Sequence, residues 1–529
     1  MTGGSTRPRR CGQALIELLE AYGIEVVFGI PGVHTLEYFR GLARSSIHTV
    51  LARHEQGAAF MADGYARAAG RPAVCCVITG PGLTNAATGV AQSYSDSVPM
   101  LLLASVNETG SLGRGWGQLH ESVDQLAVAR GITTNASCAY RPADIPAILA
   151  ATFSSFGSSR PRPAIVQVPI DVLEQEVVEP WKASRVSARP AADPDATRRA
   201  ARLLSAAERP ALVVGGGAVG ATEELRELQR RLGCPAVSTA AGKGVIPERD
   251  PLSVGATLNR AEVQRWLADR DVVLAVGTEL SETDSWTARL DLRGDLIRVD
   301  IDETRFGDRH PSAVALHCDA RLGARALLDA LPETASVRGG EELPAIGLTD
   351  AERRHQLVLG ALRRALPEDA RVYADMTQLA YSGVFLFEVD RPGRFLYPAG
   401  YGTLGYALPA ALGGLVADPA TPTVALVGDA GLLYTVQEMA TAVELELPVV
   451  VCLWNNHALG EIRDDMLERG IPPIAVEPRN PDYARLAASF GFAVKRPAEA
   501  QAVGDEVAAA VAARKPTLVE LDQRLLFGH

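Results

Sequence analysis

Residues 424–456 read VALVGDAGLLYTVQEMATAVELELPVVVCLWNN, and this stretch decides the fold. One apolar run ends at GDAG (428–431), a helical stretch follows, and a second apolar run ends at Asn455-Asn456. Because both runs are apolar on both faces, we expect parallel strands that are covered by helices on both sides. The stretch therefore predicts one strand–helix–strand unit of an α/β sheet.

The same alternation of apolar runs and helical stretches continues along the chain, which indicates the α/β class throughout. A chain of 529 residues is too long for one core. Two stretches without periodicity, Trp181–Thr197 and Leu331–Thr349, are predicted linkers. They give three domains, each doubly wound around a mainly parallel sheet, at residues 1–180, 190–332 and 345–529. The expected strands are Val26–Ile30, Ala73–Thr79, Ala211–Val214, Val272–Val276, Leu296–Ile301, Val372–Ala374, Val424–Val427, Val449–Leu453 and Thr517–Leu521.

The composition excludes several classes of protein. Hydrophobic residues make up 47% and charged residues 22% of the chain, as in soluble globular proteins. The net charge of -11, without a block of Lys and Arg, argues against nucleic-acid binding. No secretory pattern opens the chain and no apolar run reaches about 18 residues, so we expect no membrane span. Seven scattered cysteines without a CxxC pair fit buried thiols in the cytoplasm.

Two polar side chains follow the strands of the opening stretch. Asp429 and Asn456 are 27 positions apart (456 − 429), which is one helix plus one strand, so both emerge at the same edge of the sheet. Their oxygen atoms, together with phosphate oxygens, suit Mg2+. The alternative is two ordinary turns, because Gly-Asp and Asn-Asn are common turn pairs.

Further motifs carry a resemblance to a known family. Residues 428–430 (GDA) and 455–456 (NN) match the thiamine-diphosphate signature, and residues 53–67 (RHEQGAAFMADGYAR) and 79–85 (TGPGLTN) match its other half. Over almost its whole length, the chain resembles the group of acetohydroxyacid synthase, pyruvate oxidase and benzoylformate decarboxylase. The resemblance implies the thiamine-diphosphate-binding fold, with a pyrimidine-binding, a central and a diphosphate-binding domain in that order.

The resemblance also implies roles for single residues. Glu55 would be the catalytic glutamate, which hydrogen-bonds the pyrimidine ring of the cofactor and so promotes loss of the thiazolium proton. Leu404 would be the apolar wedge that bends the cofactor, and the Gly402 carbonyl would hold the pyrimidine amino group. The residues expected to bind the cofactor are Glu55, Thr377, Gln378, Gly402, Leu404, Gly428, Asp429, Ala430, Gly431, Asn456 and Leu459.

The same resemblance bears on metal, flavin and subunits. Mg2+ would be held by Asp429, the Asn456 side chain and the Ala458 carbonyl. The flavin-binding segments of the family are poorly matched around residues 255–257 and 277–279, so we expect no FAD. In the family the glutamate and the Mg2+ lie on different subunits, which implies at least a homodimer and favours a homotetramer.

One departure from the synthases points to the substrate. Acetohydroxyacid synthases carry a Trp nine positions after the second Asn, whereas this chain has Asp465 there (456 + 9). Glu461 and Asp465 are i and i+4 on one helix and share a face. We expect them to bind a cationic substrate tail, for which a guanidinium is well suited. The alternative is a helix start rich in acids, which the helix dipole favours.

Other segments agree with a guanidino substrate. Residues 28–35 (FGIPGVHT) and 119–121 (LHE) look similar to the 5-guanidino-2-oxopentanoate decarboxylases of arginine catabolism. By this resemblance Val33, His34 and His120 would line the substrate site, and the two histidines are candidate catalytic groups. A structural role is the alternative for each histidine.

The function expected from the sequence is decarboxylation of a small-molecule 2-oxo acid, 5-guanidino-2-oxopentanoate, to an aldehyde and CO2. The main alternative is a carboligase of acetolactate-synthase type that acts on pyruvate, and a flavin-linked oxidase and a non-enzymatic relic are two others. The sequence leaves open which 2-oxo acid is physiological, whether the product is joined to a second carbonyl compound, and whether the assembly is a dimer or a tetramer.

Overall fold

The computed structural model of the protein describes residues 9–184, 188–332 and 342–528. Parts of both predicted linkers, residues 185–187 and 333–341, lie outside the described residues. The described residues form three six-stranded sheets, and every strand pair within them is parallel. The predicted fold class, three α/β domains with mainly parallel sheets, is confirmed.

The N-terminal domain holds the first sheet. In spatial order its strands are His48–Leu51, Val26–Gly29, Ala73–Val77, Met100–Val106, Ala164–Pro169 and Asn135–Cys138. Its helices are Cys11–Ala21, Leu36–Leu42, Glu55–Ala69, Pro81–Ser95, Gln125–Ile132, Ile145–Ser158 and Ile170–Leu173. A short antiparallel pair, Arg9–Arg10 with Glu176–Val177, joins the two ends of the domain.

The central domain holds the second sheet. In spatial order its strands are Ser253–Gly255, Ala236–Ser238, Pro210–Val214, Val272–Val276, Asp295–Asp300 and Val314–His317. Its helices are Pro194–Ala206, Thr222–Leu232, Ala261–Ala268, Glu282–Ser285 and Ala320–Ala330. Pro194–Ala206 begins inside the first predicted linker, because Asp193 caps it through the backbone N–H of Ala196 at 2.7 Å and a proline occupies its first turn.

The C-terminal domain holds the third sheet. In spatial order its strands are Phe395–Leu396, Arg371–Ala374, Thr423–Gly428, Val450–Asn455, Thr517–Asp522 and Ala493–Lys495. Its helices are Asp350–Ala365, Gln378–Leu386, Ala407–Ala417, Asp429–Leu433, Glu438–Glu444, Gly460–Glu468, Tyr483–Phe490, Ala502–Ala513 and Gln523–Phe527. Within the described ranges, no helix has the length and apolar character that crossing a membrane requires.

Each sheet is covered on both faces, as the apolar strands predict. Along the strand Met100–Val106, Leu101 and Leu103 enter one core, while Leu102 and Ala104 enter the other. Alternate residues of a strand point to opposite faces, so the sheet must carry helices on both sides. All nine expected strands are present, with ends shifted by two residues or fewer.

The N-terminal and C-terminal domains share one of these cores. The helices Glu55–Ala69 and Ala407–Ala417 cross closely, because a Cβ added at Gly64 would meet the Ala410 backbone and one at Gly413 would meet the Met61 backbone. Glycine is therefore required at this crossing. The contact fixes the helix that begins at Glu55 against the domain that carries the GDAG segment.

Candidate active site

The end of the sheet around Asp429 brings the predicted metal ligands together. The strands Thr423–Gly428 and Val450–Asn455 are neighbours, with Gly428 opposite Trp454, so the residues after both strands leave the same edge. Asp429 is 2% exposed, and burial raises its pKa. Its carboxylate accepts hydrogen bonds from the Asn480 side chain at 2.7 Å and from the Ala430 backbone at 2.9 Å, which oppose that rise.

Asn456 is held at the same edge by two contacts. Its side-chain nitrogen donates to Gln378 Oε1 at 3.1 Å, and its side-chain oxygen accepts from the Ala458 backbone at 3.2 Å. A side chain at Gly460 would displace the Asn456 side chain, because an added Cβ would lie 2.5 Å from Asn456 Nδ2. A buried carboxylate beside an amide oxygen forms an oxygen donor set, which fits the hard cation Mg2+.

Small residues bring the backbone close to the predicted diphosphate position. A Cβ on Gly428 would lie 3.0 Å from Thr377 Oγ1, and one on Gly431 would lie 2.9 Å from Asp375 Oδ2. Leu459, predicted to contact the cofactor, is fixed by its backbone N–H, which donates to the Val476 carbonyl at 2.7 Å. Thr377 and Asp375 therefore pack closely against the backbone of the GDAG segment, and a side chain at either glycine would displace them.

Asp375 positions the segment that contains Gly402 and Leu404. It is fully buried, and burial raises its pKa to about 7. The backbone N–H of Gly405 donates to both carboxylate oxygens, at 2.9 and 3.1 Å. Gly402 has a φ of +66° and Leu404 is half-buried, so the predicted wedge lies between solvent and core.

Glu55 is the first residue of its helix and is half-buried. Its carboxylate accepts a hydrogen bond from the Asn85 side chain at 2.9 Å. The segment before it is anchored by Glu438, which accepts from the backbone N–H groups of Arg53 and His54, each at 3.0 Å. Burial raises the pKa of Glu438 to about 7. The position of Glu55 is thus set by two side chains remote from it in sequence.

His34 and His120 form a pair in the N-terminal domain. Their ring centroids lie 5.5 Å apart in an edge-on arrangement. Burial lowers the pKa of His34, and the neighbouring His120 lowers it further. Both Nδ1 atoms are buried without a hydrogen-bond partner among the residues that the structure describes. Val33, beside the pair, is 61% exposed.

The residues predicted to hold the pyrimidine ring from two sides lie apart within one chain. Glu55 accepts a hydrogen bond from Asn85, which belongs to the helix Pro81–Ser95. Thr403, next to Gly402, donates a hydrogen bond to Gln92 of the same helix at 3.0 Å. Seven helical residues (92 − 85) span about 10 Å, at a rise of about 1.5 Å per residue. Glu55 and the segment of Gly402 thus contact this helix at two positions about 10 Å apart along its axis.

A cavity of about 490 Å³ lies at the metal edge and includes two residues that the sequence motifs did not indicate. Asn480 donates to Asp429 Oδ2 and also to Asn455 Oδ1 at 3.2 Å. The Tyr483 hydroxyl donates to the Asp429 carbonyl at 2.8 Å. No local pattern singles out Asn480, which lies in an irregular segment between two prolines.

A second cavity, of about 420 Å³, lies between the central and C-terminal domains. Met376 and Gly402 line it on the cofactor side, and Glu461 lines it as well. Glu461 is half-buried, and its carboxylate accepts a hydrogen bond from Gln378 at 3.4 Å. Asp465 is exposed and does not line this cavity, although its charge helps to raise the pKa of Glu461.

Three family models match the chain in the order that the motifs imply. The N-terminal TPP binding domain of thiamine pyrophosphate enzymes matches residues 9–128, their central domain matches 197–331, and their C-terminal TPP binding domain matches 375–521. The chain belongs to the thiamine pyrophosphate enzymes. Thiamine pyrophosphate (TPP) is another name for thiamine diphosphate, which is therefore the cofactor. The family inferred from the motifs is confirmed.

Individual relatives cover nearly the whole chain. A Pseudomonas aeruginosa protein named probable 2-ketoarginine decarboxylase AruI is 49% identical over 96% of this chain and 93% of its own length. A probable acetolactate synthase large subunit of Methanocaldococcus jannaschii is 31% identical over 96% of this chain and 91% of its own length. The large subunit of Escherichia coli acetolactate synthase isozyme 1 is 30% identical over 92% and 89%. The synthases are thus more distant relatives than the protein named as a decarboxylase.

Proposed function

We propose that this thiamine-diphosphate enzyme uses Mg2+ and decarboxylates 5-guanidino-2-oxopentanoate, also called 2-ketoarginine, to 4-guanidinobutanal and CO2. The observation that carries the proposal is Glu461, a half-buried carboxylate without an ion-pair partner among the described residues, in the cavity that Gly402 also lines. A cationic substrate tail would neutralise it. The 49% identity to a protein named for the same reaction supports the substrate.

The chain's own residues divide the work of the reaction. Bound thiamine diphosphate supplies a carbon nucleophile for the 2-oxo carbon and an acceptor for the electron pair released with CO2. Glu55, oriented by Asn85, exchanges a proton with the pyrimidine nitrogen. The substrate C1–C2 bond breaks, CO2 leaves, and a proton takes its place on C2. His34 and His120 line the polar side of the substrate site with Val33, where an imidazole can take up a proton from solvent and then deliver it.

The metal and diphosphate are held at the edge of the C-terminal sheet. Asp429, the Asn456 side chain and the Ala458 carbonyl would ligate Mg2+, and Asn480, which donates to Asp429, would orient the carboxylate. The backbone of GDAG (428–431) would hold the diphosphate. The remaining contacts to the cofactor come from Thr377, Gln378, Gly402, Leu404 and Leu459.

A complete site needs a second copy of the chain in this proposal. Glu55 and the segment of Gly402 contact the helix Pro81–Ser95 at positions that are about 10 Å apart, so the pyrimidine ring would be held by Glu55 of one copy and Gly402 of the other. The homodimer is the minimum, and we retain the tetramer as the larger assembly. Exposed apolar side chains beside the histidine pair, such as Val33 and Leu119, offer surface for the partner.

The reaction would serve arginine catabolism, since its substrate is the 2-oxo acid of arginine. We assign it to the cytoplasm, because the seven cysteines are free thiols and six of them are buried, as in a reducing compartment.

The competing function is ligation of two pyruvate molecules to acetolactate, which the identity to acetolactate synthases favours. A panel of 2-oxo acids, supplied with thiamine diphosphate and Mg2+, separates the two functions. We expect kcat/KM for 5-guanidino-2-oxopentanoate to exceed that for 2-oxopentanoate at least tenfold, about 1.4 kcal/mol. We also expect one aldehyde per CO2. Acetolactate from pyruvate as the preferred product would overturn the proposal.

A further inference from the structure

The cavity between the central and C-terminal domains is strongly acidic. The half-buried Asp284 and the exposed Glu282 line it from the central domain, and the half-buried Glu461 lines it from the C-terminal domain. Among its lining residues in the described part of the chain there is no Lys, Arg or His. Carboxylates that converge on a cavity without a counterion favour a cationic ligand.

We infer that the central domain forms the guanidinium-binding end of the substrate site, through Asp284 and Glu282 acting opposite Glu461. This inference rests on the proposed function, which it deepens by adding residues from a second domain. The short helix Glu282–Ser285 follows the strand Val272–Val276 and brings both acids to the cavity.

Asp284 is the central member of the acidic group. Its carboxylate accepts one hydrogen bond, from Ser281 Oγ at 2.8 Å, and has no ion pair with any described residue. Burial raises the pKa of Asp284 to about 6, and the charges of Asp96 and Glu279 add to the rise, while the Ser281 bond opposes it. Such a carboxylate gains stability from a charged donor, and a guanidinium offers five N–H groups in a planar fork.

The other walls of the cavity suit a planar cation. Tyr381 and Tyr397 stand edge to face, with ring centroids 6.4 Å apart. Burial raises the pKa of both hydroxyls, and the Glu461 charge adds to the rise. Trp286 lines the cavity and is 62% exposed. Its backbone φ is +55°, a value that residues other than glycine rarely adopt. Aromatic faces attract a guanidinium and hold it by stacking.

An unpaired acceptor points to the same ligand. Asn259 lines the cavity, and its side-chain oxygen is buried without a hydrogen-bond partner among the described residues. Buried acceptors in native proteins are nearly always satisfied. An N–H of the guanidinium would satisfy this one.

The cavity also connects the acids to the cofactor side. Gly400 and Gly402 line it, and the Gly400 backbone N–H donates to Asp96, whose charge acts on Asp284. One cavity therefore receives the reacting end of a substrate near Gly402 and a cationic end near Asp284. A flavin dinucleotide is a poor occupant, because its diphosphate would be repelled by three carboxylates without a cation.

The substitutions Asp284→Asn and Glu282→Gln test the assignment. We expect each to lower kcat/KM for 5-guanidino-2-oxopentanoate, tenfold or more for Asp284→Asn, while kcat/KM for 2-oxopentanoate stays within about twofold. The matched control is Asp329→Asn, an exposed acid near the end of the helix Ala320–Ala330, which should leave both values unchanged. An unchanged ratio in both cavity variants, or equal loss on both substrates, would overturn the inference.

A binding measurement separates this inference from the proposed function. Propylguanidinium should inhibit turnover of 2-oxopentanoate competitively, and Asp284→Asn should weaken that inhibition about tenfold. If the wild type does not prefer the guanidino substrate yet shows this inhibition, the proposed function fails and the cation site stands. If the wild type prefers the guanidino substrate and Asp284→Asn leaves inhibition unchanged, the inference fails alone. Flavin that copurifies with the wild type would also overturn it.

Discussion

The two ends of the proposed active site are assembled in different ways. At the cofactor end, Asp429 and Asn456 follow adjacent parallel strands and lie 27 positions apart. At the tail end, Asp284 and Glu461 are 177 positions apart (461 − 284) and meet only because two domains enclose one cavity. The residues for the shared chemistry are thus encoded in local motifs, whereas the residues for substrate choice come together only through tertiary contacts.

This comparison predicts two kinds of variant. A change at the cofactor end should affect every substrate by the same factor, because it acts on the reacting carbon. A change at the tail end should affect only substrates that carry a positive charge. Substrates with and without the guanidino group therefore serve as paired probes throughout.

Glu55→Gln should have the largest effect. An amide cannot exchange a proton with the pyrimidine nitrogen, so turnover of both substrates should fall about 10²- to 10⁴-fold, with the cofactor still bound. Steady-state kinetics and exchange of the cofactor's thiazolium proton check this. Gln56→Asn, a change at the next position of the same helix, is the control. Exchange at the wild-type rate in Glu55→Gln would refute the assigned role.

Asp429→Ala should weaken Mg2+-dependent cofactor binding by about 100-fold or more, because the diphosphate charge loses its bridge to the protein. Titration of the cofactor with and without Mg2+ measures the loss. Asp505→Ala, an exposed acid in the same domain, is the control. An affinity equal to that of the wild type would remove Asp429 from the metal site.

A mixture of these two inactive variants tests whether Glu55 and Asp429 of one active site come from different copies of the chain. If Glu55 and Asp429 of different copies complete each site, a mixed dimer contains one intact site. Random association should then restore about one quarter of the wild-type activity. A mixture that stays inactive although mixed dimers form would place both residues in a site within one chain.

Much of the cofactor end was predictable from the sequence, because its signal is local. The strand Val272–Val276 was predicted with its observed ends, since β-branched residues dominate it. The strand Met100–Val106 was not among the expected strands, because its leucine-rich run is equally compatible with a helix. The expected location of the metal edge rested on two strand ends and the spacing between them.

The supporting and tail-end residues left no such signal. Asn480, Glu438 and Asp284 are ordinary polar residues in sequence, and only the folded chain brings them to Asp429, to the start of the Glu55 helix and to the cavity. Periodicity and motif spacing report neighbours within one element, not contacts between domains. These residues therefore required the structure.

Glu461→Gln should have a smaller and selective effect. Losing one partner of a buried charge pair costs roughly 3–5 kcal/mol, and partial exposure reduces this. We expect at least a tenfold loss of kcat/KM for the guanidino substrate, with 2-oxopentanoate unaffected or improved. Paired kinetics on the two substrates measure it, and equal loss on both would mean that Glu461 serves the chemistry instead.

The substitution Asp465→Asn tests whether Asp465 contributes to substrate specificity as Glu461 does. From the sequence alone, Asp465 and Glu461 are equivalent members of one helix face. In the structure Asp465 is exposed and outside the cavity, so solvent screens its charge. The specificity ratio should change by about threefold or less. A change as large as that of Glu461→Gln would show that the tail binds at the helix surface.

Glu438→Gln should have the smallest effect on turnover and should change stability with pH. The pKa of Glu438 is raised from 4.5 to about 7 in the fold, so the unfolded chain releases this proton first as the pH rises. As the pH rises from 4.5 to 7, this group therefore lowers the free energy of unfolding, by at most roughly 3 kcal/mol. Denaturant unfolding at pH 5 and 7.5 should show a smaller pH-dependent loss in Glu438→Gln than in the wild type or in Glu499→Gln, an exposed control. The same loss in all three would contradict the assigned pKa.

The substrate preference of the enzyme is measured most directly by a competition between two substrates in one reaction mixture. Wild-type enzyme with thiamine diphosphate and Mg2+ receives equal, subsaturating amounts of 5-guanidino-2-oxopentanoate and 2-oxopentanoate, and the initial ratio of 4-guanidinobutanal to butanal gives the ratio of the two kcat/KM values. We expect at least a tenfold excess of 4-guanidinobutanal. Equal amounts of the two aldehydes, or an excess of butanal, would contradict it.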